Sequence, residues 1–351
     1  VSTEHPSRAA GRGRPPSLRD VADRAQVSHQ TVSRVINDFP GVRPMTRERV
    51  LAAIDELGYR RNNAARTLVT RRSGLIGVIA VGSFLFGPTS TLAAIQEAAR
   101  KNGYMPLLAT LRENSQAALI EAVDEVLDHG IEALVVIASR ESMGRRTAEL
   151  RPGVPVIVVG PNPAEADDLA TLSVDQSAGA TAAIEHLAGL GHRRVVLLAG
   201  PQDWVDAQQR LTAAQRCCDD HGIVSQVLLG DWSAASGFAA GRALLAQWAA
   251  DHSGPLPTAV FTANDHMALG LLAAFHAAGV EVPADISVVG FDDIAGADYF
   301  IPPLTTIRQN FDALGHQVLL ATLSALAGET VDLTPAPAQL CVRSSTAPPR
   351  A

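Results

Sequence analysis

From residue 74 onward, short apolar runs alternate with longer stretches in which apolar residues recur every three or four positions. The runs at 75–80, 133–138, 154–159, 195–199, 226–229, 259–262 and 286–290 read as strands. The periodic stretches at 89–102, 116–129, 178–190, 208–221, 234–250 and 266–278 read as helices. Strands that are apolar throughout belong in parallel sheets covered on both faces. The alternation is too long for one compact sheet, so it predicts two Rossmann-like α/β lobes with a cleft between them.

Ahead of residue 74 the pattern is all helical. Leu18, Val21, Ala22 and Ala25 share one helical face, Val27 sits in a turn, and Ser28 is suited to cap a second helix whose Val32, Val35 and Ile36 point inward. A third helix is predicted over 46–57, with Val50, Leu51, Ile54 and Leu57 as its buried stripe, Thr46 as its cap and Gly58 as its stop. The expected organisation is a flexible arm over 1–16, a helix-turn-helix over 17–60, and a short helix with linker over 61–73. A two-lobed body over 74–346 and a tail over 347–351 complete it. The first lobe is expected at about 74–174 plus 304–330, and the second at about 175–303 plus 331–346.

Charge sharpens this division. The net charge of -7 conceals a head, residues 1–73, with 14 Arg against 7 Asp or Glu, and a body with 15 basic against 29 acidic residues. A basic head on an acidic body suits a chain that offers one end to a polyanion. No apolar stretch reaches the roughly 18 residues of a membrane span, and the arginines Arg8, Arg12 and Arg14 have no apolar run behind them, so neither a membrane segment nor a signal peptide is expected. The cysteines Cys217, Cys218 and Cys341 show no metal-ligand spacing and read as reduced thiols of a cytoplasmic protein. No metal and no cofactor are expected.

On the second helix the outward residues carry the chemistry. Gln30 suits a bidentate pair with adenine, Arg34 one with guanine O6 and N7, and His29 a base acceptor or a thymine methyl. Ser28, Thr31, Ser33 and Asn37 suit phosphate oxygens, and the amides at the start of the third helix, near Thr46, suit a further phosphate.

The motifs Asp20-Val-Ala, Val27-Ser, Thr31-Val-Ser-Arg-Val-Ile-Asn37, Thr46-Arg and Glu56-Leu-Gly-Tyr59 resemble the head of the lactose-repressor (LacI/GalR) family of bacterial transcription regulators. The resemblance extends over about residues 17–346. The blocks Gly230-Asp-Trp-Ser233, Asn264-Asp265, Met267-Ala-Leu-Gly270, Ala284-Asp-Ile-Ser-Val-Val-Gly290 and Ile301-Pro-Pro-Leu-Thr-Thr-Ile307 match the family's type member. It implies a helix-turn-helix head on a body shaped like a periplasmic binding protein, a repressor acting on a near-palindromic operator as a homodimer, and control by a small carbohydrate.

The resemblance also assigns roles to residues. Residues 62–68 correspond to a hinge helix that folds only on DNA, since so short a helix is marginal in water. Asn62, Ala65 and Arg66 match positions lining the minor groove, and Leu68 matches the leucine that pries open a base step. Arg61 departs from the type member, which has proline there. In the body, Leu85, Pro88, Gln208, Trp232, Asn264, Asp292, Gln309 and Phe311 match effector-pocket positions. An amide and a carboxylate just past apolar strands suit sugar hydroxyls, and an indole face suits the apolar side of a pyranose. The implied effector is galactoside-like, with two departures. Gln208 falls where the type member has a hydroxyl-gripping arginine, and Ala178 where it has an aspartate, so that Asp175 or Asp206 would have to compensate.

The type member's leucine-heptad tail has no counterpart after Thr346, which implies a dimer. Another saccharide, or use of a ligand as co-repressor, is the alternative within the class. An enzyme is the first rival class, but no nucleophile elbow, phosphate loop or metal-spaced His pair accompanies Asp292, Asp293, His186 or His192, so no catalytic residue is assigned. An exported sugar-binding protein is the second rival, opposed by the DNA-reading head.

Overall fold

The computed structural model describes residues 16–59, 72–81, 85–111, 114–160, 169–250 and 256–350. Most of the arm and the hinge residues Asn62, Ala65, Arg66 and Leu68 lie outside the described residues. The chain divides into two compact units, Val1–Ser73 and Gly74–Ala351.

The first unit holds α1 (Leu18–Ala25), α2 (His29–Ile36) and α3 (Pro44–Leu57). Ser17 opens α1 with a reciprocal cap. Its hydroxyl accepts from the Asp20 amide, and its own amide donates to the Asp20 carboxylate at 2.7 Å. Ser28 caps α2 as its position predicts, accepting from the Thr31 amide. Val21, Ala22, Ala25, Val32, Val35, Val50, Ala53 and Tyr59 form the small core. Two details of α3 differ from expectation. Pro44 opens the helix at its first position, where a missing N–H costs nothing, so Thr46 lies inside the first turn and caps nothing. The buried stripe runs through Val50 and Ala53 with Ile54 and Leu57 packed beside them, while Leu51 is 51% exposed.

The second unit contains two parallel sheets. In the first lobe β1 (Leu75–Val81), β2 (Met105–Leu111), β3 (Ala133–Ile137), β4 (Val156–Val159) and β5 (Ala170–Leu172) lie in the order β2-β1-β3-β4-β5. Helices α4 (Phe86–Lys101), α5 (Gln116–Asp128) and α6 (Glu141–Ala148) connect them. In the second lobe β6 (Arg194–Ala199), β7 (Val224–Leu229), β8 (Ala259–Thr262) and β9 (Ser287–Val289) lie in the order β7-β6-β8-β9. Its helices are α7 (Gln176–Gly189), α8 (Val205–Asp220), α9 (Ala234–Ala250) and α10 (Asp265–Ala277). Each sheet carries one apolar cluster per face, so the central strands are buried on both sides as their continuous apolar runs require. The edge strand β2 contains Pro106 and exposed Met105 and Leu108, which hides it from a search for apolar runs.

The chain crosses between the lobes at three neighbouring places. Val174 bridges to Ala336, and β10 (Thr306–Gln309) pairs antiparallel with β11 (Ala338–Cys341). Thr305 and Arg308 bridge to Val289 and Asp292 of the second lobe. Residues 304–309, expected in the first lobe, therefore belong with the second, where Leu304 and Ile307 are buried in its core. The return to the first lobe begins only with α11 (Phe311–Ala327), whose Leu314 and Val318 pack on its sheet, and Ala336 stays in that core. In both lobes the strand order reverses beside the first strand, and the carboxyl ends at those reversals are where doubly wound sheets take ligands.

Candidate functional site

On α2 the apolar side faces the core through Val32 and Val35, which leaves His29, Gln30 and Arg34 exposed on the other side. Among the described residues none of these three side chains makes a hydrogen bond or ion pair, so their donors are free for a partner. The flanking polar groups are tied to the helix. The Ser28 and Thr31 hydroxyls lie 2.9 Å apart, and the Asn37 amide donates to the Ser33 carbonyl at 2.8 Å. Thr46 is half-buried at the start of α3. The geometry thus separates free side chains, of the types that read base edges, from tethered hydroxyls and amides of the types that meet phosphate.

In the body a cavity of about 320 Å³ lies at the carboxyl ends of the strands of both lobes. It is large enough for a small organic molecule. Of the expected residues it gathers Leu85, Pro88, Trp232, Asn264, Asp292 and Gln309. Gln208 is not among them. It is exposed on α8, and its amide donates to the Gln202 carbonyl. Phe311 is displaced too. It meets Phe86 edge-on at 5.8 Å and borders an adjoining recess that shares Pro88, Asp206 and Gln309 with the cavity.

The cation missing at Gln208 is supplied two residues later by Arg210. This side chain is 4% exposed. It donates to Gln176 Oε1 at 2.9 Å, to the Ala263 carbonyl, and to Asp292 Oδ1 at 3.4 Å. Its guanidinium lies 3.8 Å from the ring centroid of Phe291 and 5.6 Å from that of Trp232. Gln176 donates to Gln309 at 2.9 Å, and Gln309 donates to Asp292 at 2.7 Å, which closes a buried ring of four side chains. Gln176 lies just after the first lobe crossing and Gln309 just before the second, so the ring ties the cavity to the hinge between the lobes. Ala178, which corresponds to the type member's aspartate, is an exposed residue of α7, and the buried polar residue of that turn is Gln176. Asp175 is occupied as the cap of that helix, and Asp206 does reach the cavity.

Burial governs the acids here. Loss of water pushes the Asp292 carboxyl up to about 6, against the pull of Arg210 and the Gln309 amide. Asp206 is raised by burial too, with Arg210 opposing. Behind the cavity Asp265 accepts from the Thr306 hydroxyl at 2.6 Å and the Ile294 amide at 2.9 Å, and burial with nearby Asp292 pushes it up to about 8.

Asn264 does two jobs. Its oxygen caps α10 through the Met267 amide at 2.9 Å, and its nitrogen donates to the Trp232 carbonyl at 3.0 Å. Trp232 adopts φ +74, and Asp292 and Asp293 adopt φ +115 and +55. Side chains other than glycine rarely take such values, and they collect at ligand sites. The Trp232 ring packs on Gly200, where a Cβ would approach within 2.4 Å. Its buried Nε1–H has no partner among the described residues. Trp204 meets it edge-on at 6.1 Å.

Residues 17–62 match the family described as bacterial regulatory proteins, lacI family, and residues 184–346 match a periplasmic binding protein-like domain. The lactose operon repressor of Escherichia coli K12 is 35% identical over 320 residues, covering 91% of this chain and 87% of that protein. The chain belongs to the lacI family of bacterial regulatory proteins. It is a DNA-binding transcriptional regulator with a ligand-binding body, and not an enzyme. A second relative, the HTH-type transcriptional regulator CelR of Thermobifida fusca, is 33% identical over 92% of this chain and 95% of its own length. Among solved structures, a lac repressor dimer bound to operator and the anti-inducer ONPF superposes with a TM-score of 0.79 at 33% identity, covering 95% of this chain and all of that one. A CelR–cellobiose complex superposes at 0.67 and 30% identity, over 94% of this chain and 99% of that one. Among the described residues no helix is long and apolar enough to cross a membrane.

Proposed function

We propose that this regulator is a cytoplasmic repressor that binds a near-palindromic operator as a dimer and is controlled by a small saccharide held in the body cavity. The observation that carries the saccharide is the cavity's polar set. A fixed cation at Arg210, the acceptors Asp292 and Asp206, the amides Asn264 and Gln309 and an unpartnered indole N–H at Trp232 sit beside apolar Trp204, Phe86 and Leu85. A polyhydroxylated ring offers both donors and acceptors to such groups, and its apolar face suits an indole. Arg210 supplies the forked cation that a galactoside-like effector calls for, while Gln176 offers an amide in place of a carboxylate. A relative solved with cellobiose supports the same class.

Calorimetric titration with lactose, cellobiose, maltose and galactose tests this reading. One of them is expected to bind with a 1:1 stoichiometry per chain and to alter operator affinity in a mobility-shift assay. Failure of all four to bind would remove the saccharide. Asn264→Asp keeps the cap on α10 but removes the amide donor, and is expected to weaken saccharide binding tenfold or more while leaving operator binding unchanged, a loss of about 1.4 kcal/mol or more. The dimer is supported by Tyr299 and Ile301, two residues apart, which are 86% and 90% exposed. Light scattering at micromolar concentration reads it directly.

At the head, His29, Gln30 and Arg34 read bases, and Ser28, Thr31, Ser33, Asn37 and Thr46 hold phosphates. Asn62, Ala65, Arg66 and Leu68 act in the minor groove. Gln30→Ala is expected to cost roughly 1–3 kcal/mol and to relax preference at one base pair. Weakening that is uniform across all operator variants would make Gln30 a phosphate contact instead.

A further inference from the structure

Beside the cavity the two lobes meet in a small charged and aromatic cluster. Ser139 and Arg140 follow β3 in the first lobe, and Asp203, Trp204 and Val205 follow β6 in the second. Arg140 Nε donates to Asp203 Oδ2 at 2.8 Å, and the guanidinium lies 5.2 Å from the Trp204 ring centroid. Alongside, the Val205 amide donates to the Ser139 carbonyl at 3.3 Å. Trp204 is 7% exposed and lines the cavity. A first-lobe cation thus fixes a second-lobe indole that a bound molecule would touch.

We propose that Arg140 is a positioning residue for the effector site, clasping Asp203 and Trp204 so that lobe apposition and the placement of the Trp204 wall are one event. The proposal rests on reading the cavity as the effector site. The ion pair alone is half-exposed and contributes little. Its leverage comes from acting with the cation–π contact and the backbone hydrogen bond, all three of which exist only while the lobes are apposed. A contact that favours the apposed lobes tightens any ligand that prefers them, and the ligand in turn strengthens the contact. The clasp also explains why Trp204, on a loop with no side-chain cap of its own at the start of α8, is held in one place.

The chain has three tryptophans, and Trp248 stacks on Phe275 in the second-lobe core. With Trp248→Phe as background, emission reports on Trp204 and Trp232 alone. In the full-length protein without saccharide, Arg140→Ala and Asp203→Ala are each expected to shift emission to the red and raise quenching by acrylamide. The double variant should add little to either single one, and the exchanged pair Arg140→Asp with Asp203→Arg should recover part of the change. Saccharide affinity in the single variants should fall roughly three- to tenfold, with the thermal unfolding midpoint nearly unchanged. Quenching equal to the parent, single effects that simply add, or full saccharide affinity in both single variants would each overturn the clasp. If no saccharide binds the parent protein the effector reading fails, and the quenching comparison still decides whether the lobes are clasped.

Discussion

Replacing Arg210 by alanine is expected to weaken saccharide binding at least a hundredfold and to lower folding stability by about 3–5 kcal/mol. Both effects have one origin. The Arg210 guanidinium is the buried cation facing Asp292, and it donates to Gln176 and to the Ala263 carbonyl while stacking on Phe291. Removing it leaves a carboxyl in a dry site, with the Gln309 amide as its remaining side-chain donor among the described residues. Two acceptors lose their donor at the same time. Arg210→Lys restores a charge but neither the fork nor the stacking plane, so it should recover little of the binding. Adding Asp292→Asn to Arg210→Ala removes the stranded charge, and the double variant should be more stable to urea than the single one. Saccharide binding by Arg210→Ala within threefold of the parent, read by calorimetry, would sink the assignment of Arg210 to the site. Operator binding should survive the change but no longer respond to saccharide.

The second large effect concerns Asp265. Its carboxyl is pushed up to about 8, first by burial and then by Asp292, with the Thr306 hydroxyl and the Ile294 amide opposing. The folded state therefore keeps a proton that the unfolded chain has released above about pH 4. Stability contributed by this proton is fully present below the unfolded value and is lost as pH rises toward 8, at about 1.4 kcal/mol per pH unit. Asp292 acts in the same direction but is exhausted near pH 6. His186 and His192, lowered by burial, act in the opposite direction and are spent near pH 6.5. Asp206 is also raised by burial, so between pH 6.5 and 8 the comparison with Asp265→Asn is what isolates Asp265. Between those limits the parent protein is expected to lose about 2 kcal/mol relative to Asp265→Asn, measured as the urea midpoint at each pH. Parallel curves for the two proteins across that window would show that Asp265 is ionised throughout.

Much of this was open to reading from residue types alone. The apolar positions of α1 and α2, the Ser28 cap and the alternation of apolar strands with periodic helices are local patterns, and local patterns persist in the fold because each sets its own backbone preference and buried face. Six cavity residues were legible too. Asn264 and Asp292 sit just past apolar strands, where a doubly wound sheet exposes its loops, while Leu85, Pro88, Trp232 and Gln309 followed from the resemblance to the family. Arg210 was missed by two residues. Its signal lay in the stripe Ala207, Arg210, Ala214 and Cys218, where a charge interrupts apolar residues at helical spacing. Such a charge is buried only if the fold brings it a partner.

Residue order and spacing suffice to specify a polar-faced helix of the DNA-reading type ahead of a body of two parallel sheets. Packing of distant segments set the rest: Gln208 faces outward while Arg210 faces in, Gln176 rather than Ala178 is buried, and residues 304–309 serve the second lobe. The same packing brought Arg140 to Asp203, 63 positions away along the chain. These outcomes depend on which side chains from distant segments share one dry volume. A buried charge or amide is placed by the partners it finds there, and those partners are set by packing across the lobes.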